Sequence, residues 1–273
     1  MTIAIGMRAQ NGLVVAADTE ESTGDYMKGV SGKMAAFFTH DNGWAESCII
    51  AGAGDSGYVH ALMEELGQTY QAADPLMHIY HLGKNTPSLQ AEFRDCIKRF
   101  YKEHIIPFAG YPERKRPDVE MLIACQRKTI MHIFTSEKTV VNYASAYKAI
   151  GYGSTFAELF LGKLWGNMPI EQAEILAAYI VFLVKESVES CGKFTTLSTI
   201  RGAKVENGPD GSRLIPTTEA RFVHPERIEK WEHSFKKKWW KAERDMIISM
   251  IDKELLVDSP PKQSAQRKLT GQQ

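Results

Sequence analysis

Three residues near the start of the chain, Thr2, Asp18 and Lys33, could together carry out nucleophilic chemistry. If the initiator methionine is removed, Thr2 presents a hydroxyl and a free α-amine on one residue. Such an amine has an unperturbed pKa of about 7.7–8.0 and can accept the hydroxyl proton near neutral pH. A nearby lysine would lower the pKa of both groups, and a carboxylate would hold that lysine charged and oriented. The simpler interpretation is an ordinary second residue and a surface lysine.

The segment between Thr2 and Asp18 is predicted to form a β-hairpin. Apolar runs lie on both sides of Asn11 and Gly12, and Asn-Gly favours a two-residue type I′ turn because both residues tolerate positive φ. The hairpin would bring Asp18 back beside Thr2.

A glycine-rich segment, 51–57, reads AGAGDSG. It lacks the lysine of a phosphate-binding Walker loop and does not match the pattern G-x-G-x-x-G. Its Gly-Asp-Ser-Gly resembles the nucleophile segment of trypsin-like serine proteases, but the next glycine and the upstream histidine motif of that family are absent. The segment instead favours a strand-end turn that exposes a backbone N–H to a developing oxyanion.

Composition excludes several classes of function. The 273 residues include 33 basic and 33 acidic side chains, so no overall charge attracts nucleic acid or an anionic membrane. The four cysteines lie far apart, which argues against a zinc site and favours free thiols in a reducing compartment. His78 and His81 lack a third ligand of suitable spacing, so no metal site is predicted. With no signal-peptide pattern and no apolar stretch of about 20 residues, we expect a cytoplasmic protein.

The order of predicted elements indicates an α+β fold with helices on the outer faces of a two-sheet core. Strands are predicted within 2–57, 119–144, 194–200 and 214–222, and helices over 55–81, 88–104, 154–164 and 168–192. Ser154 or Thr155 is the expected N-cap of the third helix. We predict one domain over 1–222, a helical extension over 223–257 that contains a long amphipathic helix, and a disordered tail over 258–273.

Four segments in this order resemble the proteasome β-subunit and HslV family of N-terminal nucleophile (Ntn) hydrolases. They read TIAIG (2–6), GLVVAAD (12–18), AGAGD (51–55) and AIGYGS (149–154). Met27-Lys28-Gly29, ahead of Lys33, is similar to HslV-type subunits. The resemblance extends over about residues 2–200, and it is the ordered set of segments that carries it.

This resemblance implies a four-layer αββα sandwich, the Ntn hydrolase fold, with an added long C-terminal helix. It implies that Thr2 is the nucleophile of a threonine peptidase, that Asp18 and Lys33 complete the catalytic unit, and that no metal or organic cofactor is needed. The matching positions put the oxyanion glycine at Gly52 and substrate-binding residues at Ser22 and Ile50. The implied partners are a peptide or unfolded protein as substrate, identical subunits in a homo-oligomeric ring, and a regulatory unfoldase.

The chain also departs from that family. Tyr152 replaces a serine and Val188 replaces an aspartate that normally orient the N-terminal amine. Thr19, Glu20 and Glu21 replace the usual arginine segment, which predicts an acidic, substrate-contacting entrance at Glu21. These departures leave two alternatives open: a structural ring subunit without activity, and an amidohydrolase acting on a small amide.

Overall fold

The structure, a computed structural model, describes residues 2–23, 27–30, 32–41, 44–72, 88–112, 117–127, 130–189, 191–202 and 220–238. The chain divides into two units, 1–232 and 233–273. All sheets and the candidate site belong to the first unit. Of the second unit, residues 233–238 are described, and they are helical.

Five strands form the first sheet, and all neighbouring strands are antiparallel. They are β1 (Ala4–Ala9), β2 (Gly12–Asp18), β10 (Tyr147–Ile150), β11 (Thr195–Arg201) and β12 (Ala220–Phe222). The order across the sheet is β10-β1-β2-β11-β12. The β1–β2 hairpin pairs Ala4 with Ala17. The start of β1 and the end of β2 therefore lie side by side.

The second sheet also has five antiparallel strands, in the order β5-β6-β7-β8-β9. They are β5 (Met34–Asp41), β6 (Trp44–Gly54), β7 (Val119–Arg127), β8 (Ile130–Glu137) and β9 (Val140–Ala144). A separate two-stranded ribbon consists of β3 (Glu20–Thr23) and β4 (Met27–Val30). This ribbon lies in the chain between β2, which carries Asp18, and Lys33.

Helices cover one face of each sheet. The helices are α1 (Ser56–Ala72), α2 (Leu89–Phe100), α3 (Ser154–Leu164) and α4 (Ile170–Ser187), and a further helix, α5, begins at residue 225. A π-helical turn (Tyr101–Ile105) and a 3-10 turn (Ile106–Phe108) follow α2. Helices α1 and α2 contact the second sheet, whereas α3 and α4 contact the first. The fold is therefore α+β with two antiparallel sheets, as the sequence predicted.

Strand β6 explains how the two cores are separated. Cys48 and Ile50 belong to the cluster that the second sheet forms with α1 and α2. Ile49 and Ala51, which point to the opposite face because side chains alternate along a strand, belong to a cluster shared with β2 and β11 of the first sheet. All four side chains are fully buried. Burial on both faces requires the continuous apolar run that the sequence has here.

The predicted turn of the first hairpin was wrong. The first hairpin pairs Ala9 with Gly12, so its turn centres on Gln10 and Asn11, and neither they nor Gly12 has positive φ. Gly12 is required for another reason: a Cβ there would overlap Ile170 and the carbonyl of Ile200. Asn11 instead accepts a hydrogen bond from Ile170 N (3.1 Å), which ties the turn to α4.

Two helix boundaries also differ from the predicted ones. Gly153 is the N-cap of α3 and makes no side-chain capping bond, so neither Ser154 nor Thr155 has that role. Helix α4 ends at Ser187, five residues before Gly192. Strand β10 was not predicted, because its four residues contain no repeated alternation that a sequence pattern could reveal.

Several predictions fall outside the described residues: the end of the first helix with His78 and His81, the strand start near residue 214, and the terminal helix and tail beyond residue 238. Within the described part of the chain, none of the helices combines the length and apolarity needed to cross a membrane.

Candidate active site

Asp18 is the centre of a buried polar cluster at the end of β2. Its side chain is fully buried. Oδ1 accepts a hydrogen bond from Ile3 N (3.1 Å), and Oδ2 accepts one from Gly192 N (3.0 Å). The hairpin creates the first contact, because Asp18 N also donates to the carbonyl of Ile3 (3.1 Å). Asp18 therefore lies against the peptide that directly follows Thr2.

Lys33 reaches the same carboxylate from the other sheet. It directly precedes β5, and its side chain is 7% exposed. Nζ lies 3.1 Å from Asp18 Oδ1 and also donates to the carbonyl of Glu20. A buried ion pair is weak evidence for stability, since desolvation offsets much of the attraction. Removing one partner of such a pair is costly, because the other charge stays buried without its partner.

Thr2 lies beside this ion pair and is 2% exposed. Its carbonyl faces the 151–153 turn, where Gly153 N lies 3.5 Å away. Gly151 has φ +88°, and a Cβ there would overlap the Thr2 carbonyl. Glycine is needed at this position for both reasons. Gly151 N in turn donates to Glu120 Oε2 (2.7 Å), which anchors the turn to β7.

Two residues close to the N-terminal strand, Tyr152 and Cys191, differ in exposure. Tyr152, in the turn beside Thr2, is 68% exposed. Cys191 is buried, and burial, together with the charge of Asp18, raises the pKa of its thiol to about 12. Its Sγ lies against Gly153, near where a Cβ of that glycine would be. Cys191 therefore places a neutral S–H group close to the turn that contacts Thr2.

Gly52 and Ile50 lie on β6 but are not part of the polar cluster around Asp18. Gly52 N donates to the carbonyl of Lys33 (3.0 Å), so in this conformation that N–H is already engaged. A Cβ at Gly52 would overlap Val59 of α1, and close packing therefore also requires glycine here. Ile50 packs in the core formed with α1 and α2 and is fully buried. Its place in a specificity pocket stays a prediction.

The acidic segment after β2 begins with two buried residues, Thr19 and Glu20. Ser22 and Glu21 belong to β3, opposite Lys28 and Gly29 of β4, and their side chains lie outside the described residues. Glu20 is 5% exposed, and its carboxylate lies against Gly192. The acidic entrance at Glu21 stays a prediction, and Glu20 beside it lies within the buried cluster. Glu20 is buried because its carbonyl binds Lys33 within the cluster.

Two residues of the site were not predicted in these roles. Gly192, seen in the sequence only as a helix end, donates to Asp18 across 174 residues of sequence. Glu120 is a single carboxylate at the start of the apolar run Val119–Cys125, and that isolated charge is the signal that could have marked it. Among the described residues, no group of three His, Cys, Asp or Glu side chains could hold a metal ion.

Comparison with known proteins identifies the fold. No protein-family model and no curated protein matches the sequence. Among solved structures, the helical assembly of the Anbu complex from Pseudomonas aeruginosa matches with a TM-score of 0.67 and 15% identity over 95% of this chain and 98% of that one. An Anbu Gly-1 mutant from Hyphomicrobium sp. strain MC1 matches at 0.64 and 15%, over 90% and 96%. Anbu (ancestral beta-subunit) from Yersinia bercovieri matches at 0.62 and 13%, over 90% and 97%.

These matches correct the family suggested by the sequence motifs. The resemblance to the proteasome β-subunit and HslV family was wrong, because the matching structures are Anbu proteins, which form a related but distinct family. The motifs behind it are four short segments. At 13–15% identity the comparison establishes the fold alone: this chain has the proteasome-like β-subunit fold of the Anbu proteins.

Proposed function

We propose that this protein is a threonine-type peptidase subunit of a proteasome-like assembly, with Thr2 as the nucleophile after removal of Met1. The observation that carries this proposal is the double contact of Asp18 Oδ1, which accepts hydrogen bonds from Ile3 N and from Lys33 Nζ, each at 3.1 Å. One buried carboxylate thus links the lysine to the residue next to Thr2.

The proposed reaction uses the two functional groups of Thr2. The hydroxyl attacks a peptide carbonyl while the α-amine takes its proton, and the amine then delivers that proton to the leaving amine. A Thr2 ester of the substrate's acyl part remains, and water hydrolyses it with the α-amine again accepting a proton. The ammonium of Lys33 stabilises the developing negative charge on the threonine oxygen, and Asp18 holds that lysine in place.

We also propose a four-layer arrangement and a homo-oligomer. Contacts of α1 and α2 with one sheet and of α3 and α4 with the other, together with a core shared by the two sheets, support helix–sheet–sheet–helix layers. The Pseudomonas aeruginosa neighbour is described as a helical assembly of a complex, which supports self-association here. Light scattering at several protein concentrations tests this, and a monomer at all of them would refute it.

The second candidate is a structural subunit without activity. One observation favours it: Tyr152, which replaces the serine of the resembled family in the turn beside Thr2, is 68% exposed, so its side chain extends into solvent. Buried Cys191 supplies a thiol instead, which is a weaker hydrogen-bonding group than a hydroxyl. The two candidates differ in whether Thr2 is chemically competent.

Intact mass before and after treatment with a peptide epoxyketone tests the proposal, because the reagent needs both the hydroxyl and the free amine. We expect loss of Met1 and one adduct on Thr2. Thr2→Ala should abolish the adduct, whereas Thr155→Ala, at an exposed position on α3, should leave it unchanged. Retained Met1, or a mature Thr2 without adduct, would favour the structural subunit.

A further inference from the structure

The loop over 191–194 holds Asp18 from the side opposite Lys33. Besides the Gly192 N–H bond to Asp18, the loop makes three hydrogen bonds to Thr19, the residue that follows Asp18; in one of them Thr19 Oγ1 donates to the carbonyl of Phe194 (3.3 Å). Thr19 N donates to the carbonyl of Phe194 (3.0 Å), and Phe194 N donates to Thr19 Oγ1 (3.1 Å). The orientation of the Asp18 carboxylate therefore depends on the conformation of this loop.

The loop contains one residue in an unfavourable backbone conformation. Lys193 has φ +59°, the left-handed region that favours glycine. A lysine remains there only where surrounding contacts hold it. One such contact is visible: Lys185 Nζ of α4 donates to the carbonyl of Lys193 (3.2 Å). This bond fixes the orientation of the peptide group that joins Lys193 to Phe194.

Lys185 is held in turn by Glu232 of α5. Its Nζ lies 2.6 Å from Glu232 Oε1, and the two side chains are 9% and 21% exposed. The same oxygen accepts a hydrogen bond from Thr195 Oγ1 (2.5 Å). Thr195 lies directly opposite Asp18 in the β2–β11 pairing. Glu232 thus holds the second half of the 191–194 loop, through Lys185 at the carbonyl of Lys193 and through Thr195 directly after the loop.

We propose that Glu232 is a positioning residue that couples the start of α5 to the candidate active site. Through Lys185 it holds the Lys193 carbonyl, which keeps the loop in the conformation where Gly192 donates to Asp18. The charge of Glu232 is essential, since a glutamine could still accept from Thr195 but would bind the lysine ammonium less strongly. The effect on catalysis rests on the proposed function, whereas the effect on the loop does not.

The test compares Glu232→Gln and Lys185→Met with Glu229→Gln, which removes an exposed carboxylate from the same helix. Amide hydrogen exchange at Gly192 and Phe194 reports the loop directly and needs no activity. We expect exchange at both amides to rise roughly tenfold in the first two variants and not in the control, with the global unfolding midpoint close to that of the wild type. Turnover of a fluorogenic peptide should show a kcat lower by roughly tenfold with KM within about twofold, because the loop orients Asp18 and does not bind substrate.

The outcomes separate the two proposals. Unchanged exchange at Gly192 and Phe194 in Glu232→Gln would overturn the coupling, whatever happens to turnover. Increased exchange in an enzyme whose kcat is unaltered would overturn the positioning role. A wild-type protein that forms no Thr2 adduct and hydrolyses no peptide would refute the proposed function, and the exchange result would still decide whether Glu232 controls the loop.

Discussion

Replacing Lys33 with methionine should both destabilise the fold and abolish labelling of Thr2. The side chains of Lys33 and Asp18 are 7% and 0% exposed, so water does not screen the carboxylate that the substitution leaves behind. Asp18 keeps its bonds from Ile3 and Gly192 but loses its charged partner. Removing one partner of a buried pair costs about 3–5 kcal/mol, which corresponds to a fall in Tm of roughly 6–20 °C for a protein near this size.

This expectation differs from a purely electrostatic role, which would leave folding intact. The matched control is Lys148→Met, because Lys148 pairs with Glu158 at 2.5 Å while the two side chains are 44% and 34% exposed. Exposed pairs contribute at most about 1 kcal/mol, so the control should unfold close to the wild type. Denaturant unfolding at pH 7 gives both free energies, and intact mass gives epoxyketone labelling.

Two results would refute this reasoning. A Lys33→Met variant that unfolds within about 1 kcal/mol of the wild type would mean that the pair is hydrated or absent. Labelling of Thr2 at the wild-type rate in that variant would remove Lys33 from the proposed catalytic unit. The double variant Lys33→Met with Asp18→Asn should be less destabilised than Lys33→Met alone, because no buried charge is left without its partner.

Three further predictions follow from the same geometry. Gly151→Ala should destabilise the protein and slow labelling of Thr2, because φ is +88° and a Cβ would meet the Thr2 carbonyl. Gly57→Ala, where a Cβ would meet no other atom, should do neither. Equal unfolding midpoints for the two variants would contradict this. Burial, together with the nearby charges of Arg8 and Arg127, lowers the pKa of His132 from 6.5. As the pH falls below 6.5 the unfolded chain therefore binds the proton first, and the folded state loses stability. His132→Phe should reduce that loss in acid unfolding curves. The pKa of the Cys191 thiol is raised from 9.0 to about 12, so this thiol should resist iodoacetamide at pH 8 until urea unfolds the chain. The fold should also lose stability as the pH rises above 9, where only the unfolded thiol is ionised. Rapid labelling of the native protein would show that the thiol is not buried.

Local sequence patterns predicted most of the helices and strands but did not explain why particular residues are required at their positions. The apolar runs of β2, β6 and β7 and the helical spacing in α1 and α2 depend on neighbours within a few residues, so periodicity alone reveals them. Asn11 and Gly12 did mark a turn between β1 and β2. Their physical roles, a bond to Ile170 and close packing against Ile200, depend on α4 and β11, which no short motif contains.

The candidate site divides in the same way. The sequence by itself indicated a hairpin that returns a carboxylate towards the threonine at position 2. The register that places Asp18 beside Ile3 came from the structure, because the turn lies at Gln10 and Asn11 and pairs Ala4 with Ala17. Lys33 was named from the family resemblance, but only the tertiary structure shows its contact with that carboxylate and which backbone amides bind it. Lys33 arrives from the second sheet and Gly192 from the loop before β11, after the sheets have packed and strand registers are fixed. Contacts of this kind depend on the packing of the entire domain, and no local sequence pattern reveals them.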